Sequence, residues 1–171
     1  MISSEAFSFS ALLDLLDNSV LTWGLLACGL AQGSKLIFEL IINRRWRPKV
    51  LLETGGMPSS HSALVTGTAS GIGLQMGFDD PIFALAVAIA FIVMYDASGI
   101  RRSAGNIANR VNSLSLDNWS EKPISPLKES LGHSPSQVLV GSILGPAIAL
   151  PGIIFIGSPL HLFHVFKLMA G

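Results

Sequence analysis

GGMPSSHSALVTGTASGIGLQM, residues 55–76, begins with two glycines that let the backbone turn and continues as a run of small and apolar side chains. Pro58 suits the first turn of a helix, and Ser59 or Ser60 is suited to cap it. The stretch therefore predicts a membrane helix whose start presents free N–H groups and His61 at one membrane face. A capped helix with an interfacial histidine of no chemical role fits the same pattern.

A second segment, LGHSPSQVLVG at residues 131–141, repeats this arrangement. It places His133 just before a Ser-Pro helix start and another apolar run. Two histidines at the same membrane face, with arginines and lysines nearby, are what phosphoryl transfer through a histidine needs. One imidazole attacks phosphorus, the other protonates the leaving oxygen, and the cations hold the phosphate.

The composition of the chain is that of an integral membrane protein. It has 171 residues, enough for one domain, of which 50% are hydrophobic and only 13% are charged. A soluble domain carries about a quarter charged residues. The mean hydropathy is +0.57. The net charge is zero, so the chain as a whole has no attraction to nucleic acid.

The apolar runs predict an all-α fold, an integral membrane helix bundle with four or five spans and an N-terminal interfacial helix. The four main spans are predicted near residues 20–42, 59–76, 82–95 and 136–156. A short surface helix is predicted near residues 104–112. We expect one membrane domain over 1–171, divided into an amphipathic segment 1–18, a helical core 19–157 and an apolar tail 158–171.

Two further patterns concern orientation and packing. Ten of the eleven Lys and Arg residues lie at the end of the first span, in the loop after it, or between the third and fourth spans. The positive-inside rule then makes the face that carries both histidines cytoplasmic, or its stromal equivalent in a plastid. Two glycine pairs, Gly67 with Gly71 and Gly141 with Gly145, have the spacing that lets helices approach closely in lipid.

These stretches resemble the divergent phosphatidic-acid-phosphatase family, also called acid phosphatase/vanadium-dependent haloperoxidase-related. The resemblance covers about residues 20–150 and is carried by GGMPSSHSA at 55–63, MYDASGIRR at 94–102 and LGHSP at 131–135. The wider superfamily has three signatures, K-x6-R-P, P-S-G-H and S-R-x5-H-x3-D. Its third-signature histidine is the nucleophile and its second-signature histidine is the acid. The resemblance therefore implies His133 as the nucleophile and His61 as the general acid.

The signature that contains the nucleophile lacks its carboxylate. Gln137 stands where the third signature has Asp, and Ser60 replaces the glycine of the second signature. A Gln side chain accepts a hydrogen bond from an imidazole N–H, but it supplies no negative charge to an imidazolium. We expect Gln137 to orient His133 as a neutral acceptor.

The phosphate-binding residues of the signatures are displaced in this chain. Leu127 stands where the third signature has Arg, with Lys128 beside it. Arg47-Pro48 is present, but Leu40 replaces the signature Lys and the nearest upstream lysine is Lys35. The residues expected to hold the phosphate are Lys35, Arg47, Ser59, Ser60, Arg101, Arg102 and Lys128.

Several of these charged residues have a second interpretation. Lys35 shares a helical face with Glu39, so it either reaches a phosphate or forms a structural pair. Asp96 either orients one of the histidines or forms a salt bridge to Arg102 or Lys35. The arginines of residues 101–110 are alternatively juxtamembrane charges that bind anionic lipid headgroups.

We expect a membrane-embedded phosphatase that hydrolyses a phosphomonoester or diphosphate on a lipid or prenyl chain through a phosphohistidine. Its expected partners are that lipid-phosphate substrate and membrane lipids, with no nucleic acid; a homo-oligomer or a membrane complex is left open. No cofactor or metal is predicted, because His161 and His164 lack a nearby Cys or carboxylate. The alternative is a non-catalytic membrane protein whose degenerate phosphate pocket binds lipid headgroups or assists assembly of a membrane complex. A transporter of anionic solutes ranks last, since no internal repeat is found.

Overall fold

The computed structural model describes residues 9–53, 55–114 and 125–169, and no strand occurs among them. The helices are α1 (Phe9–Asp17), α2 (Ser19–Ile42), α3 (Ser60–Met76), α4 (Pro81–Ser98), α5 (Ile100–Asn112), α6 (Pro135–Phe155) and α7 (Pro159–Met169), with a short 3-10 helix at Pro48–Leu52. The part of the predicted N-terminal segment that precedes Phe9 lies outside the described residues.

Among the residues that the structure describes, three helical stretches are long and apolar enough to cross a membrane. They are α2, the stretch Pro81–Asn112 that joins α4 and α5, and α6. α3 has 17 residues, about 25 Å of helix against a hydrocarbon core of about 30 Å. α7 has 11 residues, or about 17 Å of helix, which is too short to cross by itself. The predicted all-α integral membrane bundle is confirmed.

α3 is the central helix of the bundle. It packs against α2, α4 and α6, and α2 also packs against α6. Small side chains make this possible, because neighbours approach closely where little volume separates the backbones. The buried residues of α3 are Ser60, Ser62, Ala63, Gly67, Ala69, Gly71 and Gly73.

Glycines on α3 and α6 bring these two helices into backbone contact. A Cβ added at Gly145 would lie 2.3 Å from the carbonyl oxygen of Ala63, and one at Gly141 would lie 2.3 Å from that of Ser59. A Cβ at Gly67 would lie 3.2 Å from the carbonyl oxygen of Gly145. The close helix packing predicted from the glycine spacing is confirmed.

The alternating direction of the chain gathers the end of α2, the start of α3, the end of α4 and the start of α6 at one end of the bundle. We call this the histidine end, because it holds His61 and His133. At the opposite end α1 packs against α7, and the Ser158 hydroxyl donates to Asp17. Trp23 Nε1–H there donates to the Gly157 carbonyl at 2.8 Å.

Candidate active site

His133 is held by the backbone between α5 and α6. Its N–H donates to the carbonyl of Ala97 near the end of α4, at 2.9 Å. The preceding Gly132 has φ +78, and a Cβ there would lie 2.3 Å from the backbone nitrogen of Arg102. Only glycine fits this conformation at this approach. The loop therefore presses His133 into the corner between α4 and α5, where it is 3% exposed.

The first turn of α6 fixes the imidazole through a capping box. Ser134 Oγ accepts the N–H of Gln137 at 3.3 Å, and Gln137 Oε1 accepts the N–H of Ser134 at 3.0 Å. The same Oε1 lies 3.2 Å from Nδ1 of His133. A backbone N–H only donates, so the Gln137 atom that faces it is the amide oxygen, and Nδ1 of His133 carries the hydrogen in this contact. The lone pair of the imidazole is then on Nε2.

His133 lines a small cavity, and the ring nitrogen that carries the lone pair, Nε2, is buried. Among the described residues, it is the buried side-chain nitrogen or oxygen that has no hydrogen-bond partner. The cavity has a volume of about 20 Å³, room for a single water, and its lining residues are His61, Val93, Ala97, Arg101, Gly132 and His133. Buried polar atoms are nearly always paired, so an unpaired one requires an explanation.

The surroundings of His133 favour its neutral form. Burial is the largest effect and lowers the pKa of the imidazole from its usual value of 6.5. The hydrogen bond to Gln137 raises the pKa, and so does the Gly56 backbone, which acts on the ring without reaching hydrogen-bond geometry, while the charges of Lys35 and His61 lower it. The net lowering keeps Nε2 unprotonated at pH values where a solvated histidine is charged.

His61 is exposed in the first turn of α3 and also lines the cavity. Ser59 caps this helix: its Oγ accepts the N–H of Ser62 at 3.3 Å and the Ser62 hydroxyl at 2.8 Å. The Ser59 N–H donates to the Gln137 carbonyl at 3.1 Å, which joins the start of α3 to the start of α6. The Ser59 amide, expected to hold phosphate, is thus occupied, and Ser59 and Ser60 are both buried.

Two of the five predicted cationic phosphate ligands lie beside the histidines. Lys35 is 3% exposed, and its charge acts on His133. It has no ion pair within the described residues; Glu39 accepts from Asn43 at 2.7 Å and lies 3.9 Å from Arg47. The alternative Lys35–Glu39 pair is therefore not formed. Arg101 lines the cavity with a half-exposed side chain that forms an ion pair with Asp96.

The other three predicted cations do not line the cavity. Arg47 binds both carboxylate oxygens of Glu53, at 2.8 and 2.6 Å. Arg102 and Lys128 are exposed. Asp96, predicted to orient a histidine or to pair with Arg102 or Lys35, pairs with Arg101 and makes no hydrogen bond to either histidine in the part of the chain that the structure describes.

Sequence reasoning missed three features of this site. Ala97 contributes a carbonyl, Gly132 contributes a left-handed conformation, and Ser134 fixes the orientation of Gln137. Only the third had a visible signal, since Ser-x-x-Gln before an apolar run is typical of a capping box. Within the described ranges no three His, Cys, Asp or Glu side chains come together as a metal site.

The chain belongs to the divergent PAP2 family, whose sequence model matches residues 16–148. It is 37% identical over 151 residues to a Bacillus subtilis (strain 168) protein described as the uncharacterized membrane protein YuiD. That similarity covers 81% of this chain and 96% of the relative. No solved structure matches the chain. The fold, the apolar helices and these similarities make it a membrane protein related to the PAP2 phosphatases.

Proposed function

We propose that the protein is a membrane phosphatase that hydrolyses a phosphomonoester or diphosphate carried on a lipid or prenyl chain. One observation carries this proposal: the buried Nε2 of His133 has no partner, and His133 lines one cavity together with His61 and Arg101. A nucleophile, a proton donor and a cation around one cavity are the minimum set for phosphoryl transfer through a histidine. A substrate with a long apolar tail keeps that tail in the bilayer while its phosphate reaches the histidine end.

The reaction needs two steps. The Nε2 lone pair of His133 attacks phosphorus, the P–O bond to the leaving group breaks, and the leaving oxygen takes a proton from His61. Water then attacks the phosphohistidine and gives its proton to His61, and the P–N bond breaks to release inorganic phosphate. Lys35 and Arg101 stabilise the charge on the equatorial oxygens. The site lies at the cytoplasmic face in this proposal, because the basic segments lie at the histidine end.

The size of the cavity sets a condition on this reaction. About 20 Å³ holds one water and is too small to enclose a phosphoryl group. The phosphoryl group must therefore occupy the cavity mouth, where the half-exposed Arg101 side chain lies. Exchange of Asp96 for a phosphate as the partner of Arg101 would bring the cation onto the substrate.

One observation favours the non-catalytic alternative, a phosphate pocket that binds lipid headgroups or assists assembly of a membrane complex. The oxygen that faces Nδ1 of His133 belongs to the neutral Gln137, so no carboxylate stabilises the imidazolium that forms during transfer. The missing negative charge lowers the rate of phosphoryl transfer but leaves the phosphate pocket in place. Catalysis and binding therefore have to be separated by experiment.

The test is phosphate release by the purified full-length protein against phosphatidic acid, phosphatidylglycerophosphate and prenyl diphosphates. His61→Ala and His133→Asn are expected to abolish release, the second being chosen because Asn still fills part of a buried polar site. His161→Ala, on α7 at the other end of the bundle, is the matched control and is expected to retain full release. Full activity in either site variant refutes the mechanism. Phosphate-dependent binding without release by the wild type supports the alternative.

A further inference from the structure

α5 exposes an apolar stripe along one side. Ile100, Ala104, Ile107 and Val111 recur at i, i+4, i+7 and i+11, which places them within an arc of about 60° at 3.6 residues per turn. All four are exposed, with fractional exposures of 67% for Ile100, 60% for Ile107 and 42% for Val111. We call these four residues the α5 stripe.

A different side of α5 attaches it to the rest of the protein. Gly105 and Ala108 are buried, and a Cβ at Gly105 would lie 2.8 Å from the carbonyl oxygens of Glu129 and Leu131. Asn112 Nδ2 donates to the Leu127 carbonyl at 2.8 Å, and Asn112 Oδ1 accepts the Leu127 N–H at 2.9 Å. Gly105 and Ala108 lie about 130° and about 70° around the helix from the centre of the stripe. The packing that fixes α5 therefore leaves the stripe uncovered within the described residues.

The arginines of α5 flank this stripe. Arg101 and Arg110 each lie about 90° from its centre, on opposite sides, whereas Arg102 lies about 170° away. α5 contains no Asp or Glu. Arg101 pairs with Asp96, and Arg110 has no ion pair among the residues that the structure describes. An apolar stripe with basic flanks is typical of a helix that lies in the interface of an anionic bilayer.

The length of the helical stretch supports this position. Pro81–Asn112 has 32 residues, or about 48 Å of helix, against a hydrocarbon core of about 30 Å. The α5 part must therefore leave the core at the histidine end. Gly99, between α4 and α5, has φ −102 and ψ −87, outside the helical region, so the direction of the chain can change there.

We propose that α5 lies in the membrane interface, with the α5 stripe among the acyl chains and Arg110 bound to the headgroup of an anionic lipid. The guanidinium donates paired hydrogen bonds to phosphate oxygens, and its stem extends along the apolar surface to reach them. Charge selects an anionic over a zwitterionic lipid, by about fivefold for one arginine near the surface. This binding site is separate from the cavity at His133 and requires no catalysis.

The experiment measures which lipid contacts the stripe. The full-length I107C variant, in a Cys28→Ser background, carries a fluorescent label and is reconstituted in vesicles of phosphatidylcholine with a minor fraction of phosphatidylglycerol. Brominated acyl chains are placed on one lipid or the other at equal mole fraction, and quenching is compared. We expect quenching by brominated phosphatidylglycerol to exceed that by brominated phosphatidylcholine up to about fivefold.

Two arginine variants of this labelled protein decide the role of charge. Arg110→Gln is expected to bring the two quenchers close to equality. Arg102→Gln removes the same charge from the side facing away from the stripe, and is expected to retain the preference. Equal quenching by the two brominated lipids in the labelled protein that keeps all its arginines overturns the selection of anionic lipid. No quenching by either lipid, or disulfide crosslinking between copies of the unlabelled I107C variant, overturns the interfacial position, because the stripe then faces water or a second copy. No outcome depends on phosphate release, so failure of the phosphatase proposal is distinguishable.

Discussion

Replacing Gln137 by Glu restores a carboxylate beside His133 without changing the local geometry. Glu has the length of Gln, and a Ser-x-x-Glu capping box accepts the Ser134 N–H as the present oxygen does at 3.0 Å. The same oxygen faces Nδ1 of His133 at 3.2 Å. The substitution therefore changes the charge on the partner of the imidazole and little else.

The expected gain follows from the strength of that contact. A hydrogen bond between neutral groups contributes about 0.5–1.5 kcal/mol and one to a charged group about 1.5–3 kcal/mol, so the imidazolium gains about 1–2 kcal/mol. A charge pair about 4 Å apart at an effective dielectric of 20 would give about 4 kcal/mol, but desolvation of the new carboxylate offsets part of it. A gain of about 1–2 kcal/mol in the phosphoryl-transfer step raises its rate roughly 5- to 30-fold.

The assay is phosphate release as a function of pH, from about pH 5 to 8. His133 attacks when neutral, so the rate falls as pH drops through its pKa. Burial lowers the pKa of His133, which puts this acidic limb below 6.5 in the wild type, and Gln137→Glu moves it to higher pH because the carboxylate favours the charged imidazole. Gln137→Met, which offers no oxygen, is expected to lose most activity. An unmoved limb in the Glu variant together with full activity in the Met variant would refute the tautomer argument.

Two predictions concern stability. The pKa of His133 is lowered in the folded protein, so the unfolded chain binds a proton near pH 6.5 while the folded chain resists it. The contribution of His133 to stability is therefore complete above pH 6.5 and declines as pH falls below it. Thermal unfolding in detergent should show a smaller acid-induced loss for His133→Asn than for the wild type, and an equal loss would contradict this. Gly145→Ala should lose about 1–3 kcal/mol or more of unfolding free energy, since its Cβ would lie 2.3 Å from a carbonyl oxygen of α3. Gly29→Ala, with nothing within 4 Å of its Cβ, is the control and should be neutral or gain up to about 1 kcal/mol; equal losses would exclude the close α3–α6 contact.

Much of the fold could be predicted because the requirements of membrane insertion are visible in the local sequence. A span must be apolar over about 20 residues, so the limits predicted for α2, α4 and α6 fall within a few residues of those observed. The glycines at 67, 141 and 145 predicted close packing, because small residues let helix backbones approach closely. What the spacing could not supply was the central place of α3, which depends on which neighbours its small residues meet.

The candidate site was predicted less completely, because ion pairs form between residues that are far apart or unevenly spaced. Arg47 and Glu53 are six residues apart and form an ion pair, whereas Lys35 and Glu39, which share a helical face, do not. Nothing in the order of the residues shows that Asp96 accepts Arg101 rather than Arg102. These choices follow from the bend after α4 and from burial.

The sequence by itself determined the helical membrane fold, the two histidines at helix starts and the neutral Gln137 in place of an acid. These are local properties, set by hydropathy, by caps and by residue identity. Only the tertiary structure decided that His133 is buried with Nδ1 held by Gln137 and Nε2 free, and that Lys35 and Arg101 lie near it while Arg47 does not. The physical reason is that burial and the orientation of a hydrogen bond depend on every helix that surrounds a side chain, and not on its neighbours in the chain.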